Sequence, residues 1–520
     1  MSIFSNIYQR ISILFTFQPT LLFLLYIVFY FVAFSLSLLN NGLFWDDWVI
    51  FNSTNEQFIA EGKRLGNPFS PFFFNLLTKA KSLFLARAIT FISFLSSSVF
   101  TFLILRNLKI RFDHSYIIML LSSIAPLNFS RNILCVTHYS VTYLIFFFAF
   151  YIYLKCYSNQ NILGILVALF CFFISFFTNS ILFLYPIVLG ALFYKDIIQS
   201  KTNEFIAFFI RHLPIIFTPF LFLIFNKIFF PRHEAYNQII FEPLRIIKGV
   251  IYTVYSSFFM PLFESSSILV SSPFIFIFVL LIYLIFIRID FFKSSLTKKE
   301  FLCFFIIGGA VFFLGCFPYI LVKKYPNFFD FNSRHQLLLP LGLSITLFSM
   351  IGLIPFRKFR IFVLSFFIVS FISLNVFALT QFITNKIKND SIVLNLADLE
   401  LLQQVDTVVF TDLAPQYNVE NRAIRFYEYS ALLSSAFNDY TRLGVAIEET
   451  LPIEYYLKFK KAHIFIKDWQ PKLAPAYLTL KSTNTVSPFT AIKLRLLEIK
   501  STEDYSKQIK PLIQIAPNEN

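Results

Sequence analysis

Long apolar runs broken by short polar stretches fill most of this chain. A helix that crosses a bilayer needs roughly 20 mainly apolar residues. Windows of about that kind lie at 20–39, 86–105, 115–129, 138–154, 162–177, 180–194, 205–225, 267–287, 301–322, 336–354 and 361–381. The pattern predicts an all-α polytopic membrane domain over residues 1–384, with about eleven transmembrane helices. The window 115–129 contains Pro126 and Asn128, and losing it alone would invert every later segment. The first run has no small-residue cleavage site and reads as a retained anchor, not a signal peptide. Pro243 to Phe259 is amphipathic and is expected to lie along the membrane interface.

From about Lys386 the apolar runs shorten and charge becomes dense. Val405 to Leu413 reads as a buried strand ending near Asp412, and Asn421 to Phe437 has helical spacing. Ala462 to Ile466 and Ala491 to Ile499 read as further strands, with a loose tail after Thr502. Residues 385–520 are therefore expected to form a small soluble α/β domain.

Composition agrees with the pattern. Hydrophobic residues make up 57%, charged residues 14%, and mean hydropathy is +0.69, which excludes an ordinary soluble protein. The net charge of +15 falls in residues 1–384, while residues 385–520 are charge-balanced. Basic residues are about twice as dense in one alternate set of loops, which places the N-terminus in the cytoplasm. The C-terminal domain then lies outside, on a plasma (inner) membrane, and anionic lipids are the partners of the basic loops. Nucleic acid is not needed to explain the charge. The five cysteines are scattered without a CxxC or zinc spacing.

Candidate chemistry gathers in the outer loops of this topology. Asp46 and Asp47 stand side by side in Phe44-Trp45-Asp46-Asp47-Trp48, at the mouth of the first helix. An aromatic belt explains the tryptophans. It does not explain two adjacent acids, which should raise each other's pKa and can act as a base and its helper or hold a divalent metal. Arg334 and His335, with Lys323 and Lys324 upstream, offer phosphate-binding donors before an apolar helix. Their bland reading is an interfacial anchor. Arg232, His233 and Glu234 cluster with Tyr236 in the loop 226–265, and Arg131, His138 and Glu264 are further outer-loop candidates. The proposed spans carry little charge, Arg211-His212 being the chief exception, which disfavours an ion-coupled transporter. No Walker loop, GxSxG or GxGxxG occurs.

An inner N-terminus, one helix and then an acidic motif in the first outer loop resembles the GT-C superfold of membrane glycosyltransferases. The resemblance rests on Trp45-Asp46-Asp47-Trp48 and, more loosely, on Ser333-Arg334-His335. Many members carry Asp-Glu where this chain has Asp-Asp, so any metal stays open. The resemblance implies transfer of a sugar from a polyprenyl-phosphate donor to a glycan, lipid or protein acceptor at the outer face. Asp46 or Asp47 would be the base, and Arg334 with Lys323 or Lys324 would hold the donor phosphate. A transporter or flippase of lipid-linked glycans, or a glycan polymerase or ligase, are the alternatives.

Overall fold

The computed structural model describes residues 18–80, 82–199, 205–231, 241–289, 291–292, 296–328, 331–449, 452–459, 464–471 and 474–518. Among these, six helices are long and apolar enough to cross a membrane: Leu83–Asn107, Leu134–Ser158, Ile181–Gln199, Pro243–Ser271, Lys298–Leu321 and Arg357–Leu396. A seventh span is possible from the pair Phe205–Arg211 and Leu213–Phe229, which is bent by 51°. Pro214 follows the break at His212 and lacks the N–H that would continue the helical ladder.

The expectation of about eleven spans is therefore corrected. The apolar runs are helical, but Pro19–Phe34, Ile162–Ser175, Ile275–Arg288 and Pro340–Leu353 stop short of span length. The window 115–129 becomes the 13-residue helix Phe112–Ile124, which neighbouring helices enclose, followed by two 3-10 turns. Composition reports an apolar run; it does not report where the chain bends within one. The stretch from Pro243 to Phe259 likewise continues through a π-helical turn at Tyr255–Phe259 into one helix ending at Ser271. Phe274, Val270, Ile206 and Leu244 stand exposed on the bundle surface, as side chains facing lipid do.

Polar contacts collect at two ends of the bundle. Arg87, near the start of Leu83–Asn107, approaches Asp47. Asn107, at its other end, accepts a hydrogen bond from Lys195 (2.8 Å), and Gln199 donates to the Leu108 carbonyl (2.7 Å). Tyr157 and His212 meet Asp196 at that same end, at 3.2 and 3.0 Å. At 1.5 Å per residue the two ends are about 30 Å apart, the thickness of a bilayer's hydrocarbon core.

The Arg357–Leu396 helix has 40 residues, roughly 60 Å, so it outruns the bilayer and continues as a pillar. The 384/385 boundary read from composition falls inside it. Ile392 and Leu396 at its far end join the core of a four-stranded sheet, ordered β2-β1-β3-β4. Its strands are β1 (Thr407–Asp412), β2 (Leu443–Ala446), β3 (Ala476–Ser482) and β4 (Ile513–Pro517). β1 pairs in parallel with β2 and β3, and β4 runs antiparallel to β3. Lys388 on the pillar is fully buried and donates to both Asp412 oxygens (2.7 and 2.5 Å), to Ala414 O (3.0 Å) and to Asn418 Oδ1 (2.9 Å). That contact bolts the end of β1 to the pillar.

Three expectations for this region change. Ile464–Ile466 is a 3-10 turn rather than a strand, and Ala462 lies outside the described residues. Ala491 to Ile499 belongs to the helix Pro488–Lys500, begun by the Ser487 side chain accepting from Thr490 N (3.1 Å) and by Pro488 in its first turn. The segment after Thr502 is a helix, Thr502–Ile509, and then β4; Tyr505 donates to Asp390 (2.6 Å).

Candidate functional site

The site is built on the turn Phe44-Trp45-Asp46-Asp47. Trp45 has a φ of 48°, a left-handed conformation that is uncommon for a bulky side chain. Its surroundings hold it there. The Trp45 amide donates to the buried Glu428 carboxylate (3.1 Å), and its ring stacks on Phe331 at 5.6 Å with 20° between planes. The Arg422 guanidinium lies 4.0 Å from the Trp45 ring, and that of Arg334 lies 3.6 Å from the Phe331 ring. Arg422 also grips Glu428 through two hydrogen bonds of 2.7 and 2.6 Å. The helix Phe426–Phe437, between β1 and β2, thereby seats the C-terminal domain on the first loop. Gly444 of β2 lets that helix come close, since a Cβ there would sit 2.7 Å from Tyr429 Cβ.

The turn sends the two carboxylates to different places. Asp47 is fully buried. Its Oδ1 accepts from Cys135 N (2.9 Å), its Oδ2 from Phe44 N (3.4 Å), and the buried Arg87 guanidinium stands 3.8 Å away. Burial pushes its carboxyl up to about 7, against the pull of Arg87 and those amides. Asp47 thus ties the first loop to the turn at Leu134–Val136. Asp46 is exposed and meets the Tyr427 hydroxyl at 3.4 Å. The surrounding protein removes part of its hydration and raises its pKa, Arg334 pulls it back down, and Glu428 pushes it up. Mutual repulsion of the pair, expected from adjacency, is not what shifts either acid; loss of water is. The two carboxylates have different partners, and the described residues contain no cluster of three or more His, Cys, Asp or Glu suited to a metal.

The other candidates separate. Arg334 lies over Phe331, whose ring stacks on Trp45, and its charge acts on Asp46. His335 is buried; loss of hydration, with Arg334 and Lys324 nearby, holds its imidazole well below the usual range. Neutral, it accepts from Arg334 Nε at 3.3 Å and so helps to orient Arg334. Lys324 is half-buried beside it, and Lys323 is exposed with a φ of 63°. Arg131 turns inward: it is buried, donates to Leu127 O (2.8 Å) and Asn128 O (3.3 Å), and lies over the Phe34 and Phe94 rings. Burial lowers it to about 10. His138 is buried against Phe74 and Tyr139. Glu264 lies on the helix Met260–Ser271, within a candidate span rather than a loop. Arg232, His233 and Glu234, with Tyr236, lie outside the described residues.

Sequence reasoning passed over Arg87, Phe331, Arg422, Tyr427 and Glu428. Arg87 carried a usable signal, a lone charge inside an apolar window that needs a partner. The other four gave none, because their roles depend on contacts distant in sequence. No protein-family model matches this chain, and no curated protein matches it either.

Proposed function

We propose that this protein is a membrane glycosyltransferase that moves a sugar from a polyprenyl-phosphate donor to a hydroxyl acceptor. The observation that carries the reading is the placement of Asp46: an exposed carboxylate beside the Tyr427 hydroxyl, within the electrostatic reach of Arg334. Asp46 takes the proton from the acceptor hydroxyl as that oxygen bonds to the anomeric carbon. The bond from that carbon to the phosphate oxygen breaks, and the phosphate leaves with the electron pair. Arg334, held by His335 and the Phe331 ring, stabilises the leaving phosphate, with Lys323 and Lys324 adding charge at its rim. Asp47 and Arg87 position the loop and touch no substrate.

One observation favours a second reading. The bent pair around His212 is the kind of interrupted helix that transporters use, which suits movement of a lipid-linked glycan. Transfer assays separate the two. With the protein in nanodiscs and a radiolabelled polyprenyl-phosphate sugar, Asp46→Asn is expected to lower turnover about 10²–10⁴-fold without changing the melting temperature. The base works deprotonated, so wild-type rate rises with pH through the raised Asp46 pKa and then levels. Arg334→Gln removes the charge that lowers that pKa and moves the limb to higher pH. Undiminished transfer by Asp46→Asn overturns the reading.

A further inference from the structure

A recess opens on the C-terminal domain beside Tyr427. It encloses about 190 Å³ and is lined by Arg425, Phe426, Tyr427, Glu449 and Tyr455. Its aromatic walls meet nearly at right angles: Phe426 and Tyr427 at 82°, Phe426 and Tyr455 at 76°. Tyr455 is 38% exposed. The charges in its lining cancel, because Arg425 and Glu449 form an ion pair and Glu449 also accepts from Phe426 N (3.2 Å).

These features select a ligand class. A flat apolar face is wanted by the rings, whose π faces carry partial negative charge and attract polarised C–H groups. Donors and acceptors together are wanted by the paired guanidinium and carboxylate. The cancelled charge disfavours an ion. The volume is below that of a drug-sized pocket and suits one small ring. A neutral pyranose has one apolar face and a rim of hydroxyls, and it meets all of these demands.

We infer that this recess is the acceptor subsite and holds a neutral sugar ring, stacked on Tyr455 and hydrogen-bonded by Arg425 and Glu449. The inference rests on the reading of Asp46 as the base. Tyr427 joins the two places, since it lines the recess and its hydroxyl lies 3.4 Å from Asp46 Oδ1. An acceptor hydroxyl projecting past Tyr427 arrives at Asp46. The lipid-borne donor approaches from the Arg334 side, so the two substrates do not compete for one pocket.

The test uses full-length protein in nanodiscs, with methyl glucoside, methyl mannoside and methyl N-acetylglucosaminide as probes and methyl glucuronide as the anionic control. Saturation-transfer NMR is expected to show binding of at least one neutral glycoside. Tyr455→Ala and Glu449→Gln should each reduce that signal, and in transfer assays each should raise the acceptor KM about tenfold. Asp46→Asn should leave the NMR signal intact. No glycoside signal, equal signals in wild type and Tyr455→Ala, or binding of the glucuronide alone overturns the inference. Full transfer by Asp46→Asn sinks the base reading instead, and the NMR result then stands or falls by itself.

Discussion

A left-handed residue at Trp45 gives two covalently adjacent acids unlike environments, and unlike environments mean unlike titration. Asp47 in the folded protein holds its proton up to about pH 7, whereas an unfolded chain releases it in the ordinary carboxylate range. Its contribution to stability is therefore complete at low pH and is lost as pH rises towards 7. Melting temperature followed from pH 5 to 8 should fall more steeply for wild type than for Asp47→Asn, whose amide oxygen can still accept from Cys135 N. Arg87→Leu removes the opposing charge and should steepen the fall. Parallel curves for all three proteins would contradict this account. The acid pair itself was legible in the sequence as costly and out of place. Which acid was accessible was not, because Glu428 and Arg422, which set the turn, lie 383 and nearly as many positions away.

Among the elements, the helices Lys298–Leu321 and Pro340–Leu353 show most clearly how small residues set packing. A Cβ on Gly342 would lie 2.3 Å from the Phe312 backbone nitrogen, and one on Gly315 would lie 2.8 Å from Leu338 O. Backbone cannot retreat as a side chain can, so the two helices approach only because hydrogen stands at those places. Gly342→Val is expected to prevent this contact and lower the melting temperature in detergent by several degrees, whereas Gly190→Ala, with open space around its Cβ, should not. Equal melting temperatures would show that the seam tolerates separation. Helix existence was legible from apolar runs throughout. Type failed where caps outweighed pattern, as at Ser487-Pro488, and length failed where bends divided a run, as at His212.

For the whole molecule, the two polar ends fix which segments share a side. Asn41 donates to Glu498 (3.2 Å), so the first loop and the C-terminal domain must face the same compartment. In a cysteine-free background, a membrane-impermeant maleimide applied to intact cells is expected to label Asn41→Cys and Glu503→Cys but not Lys298→Cys. The reverse pattern would turn the orientation over, and labels on opposite sides for Asn41→Cys and Glu503→Cys would contradict the fold. The Trp45–Glu428 contact also sets an order of events during synthesis. At about 5–20 residues per second, a ribosome needs on the order of 20–80 s to make the chain between those partners. Throughout that interval the Trp45 turn lacks the Glu428 carboxylate that accepts from its amide. A nascent chain consequently holds this turn without its Glu428 support until the helix Phe426–Phe437 has been made. Chains cut short before Glu428 should therefore lack the ordered Trp45 turn.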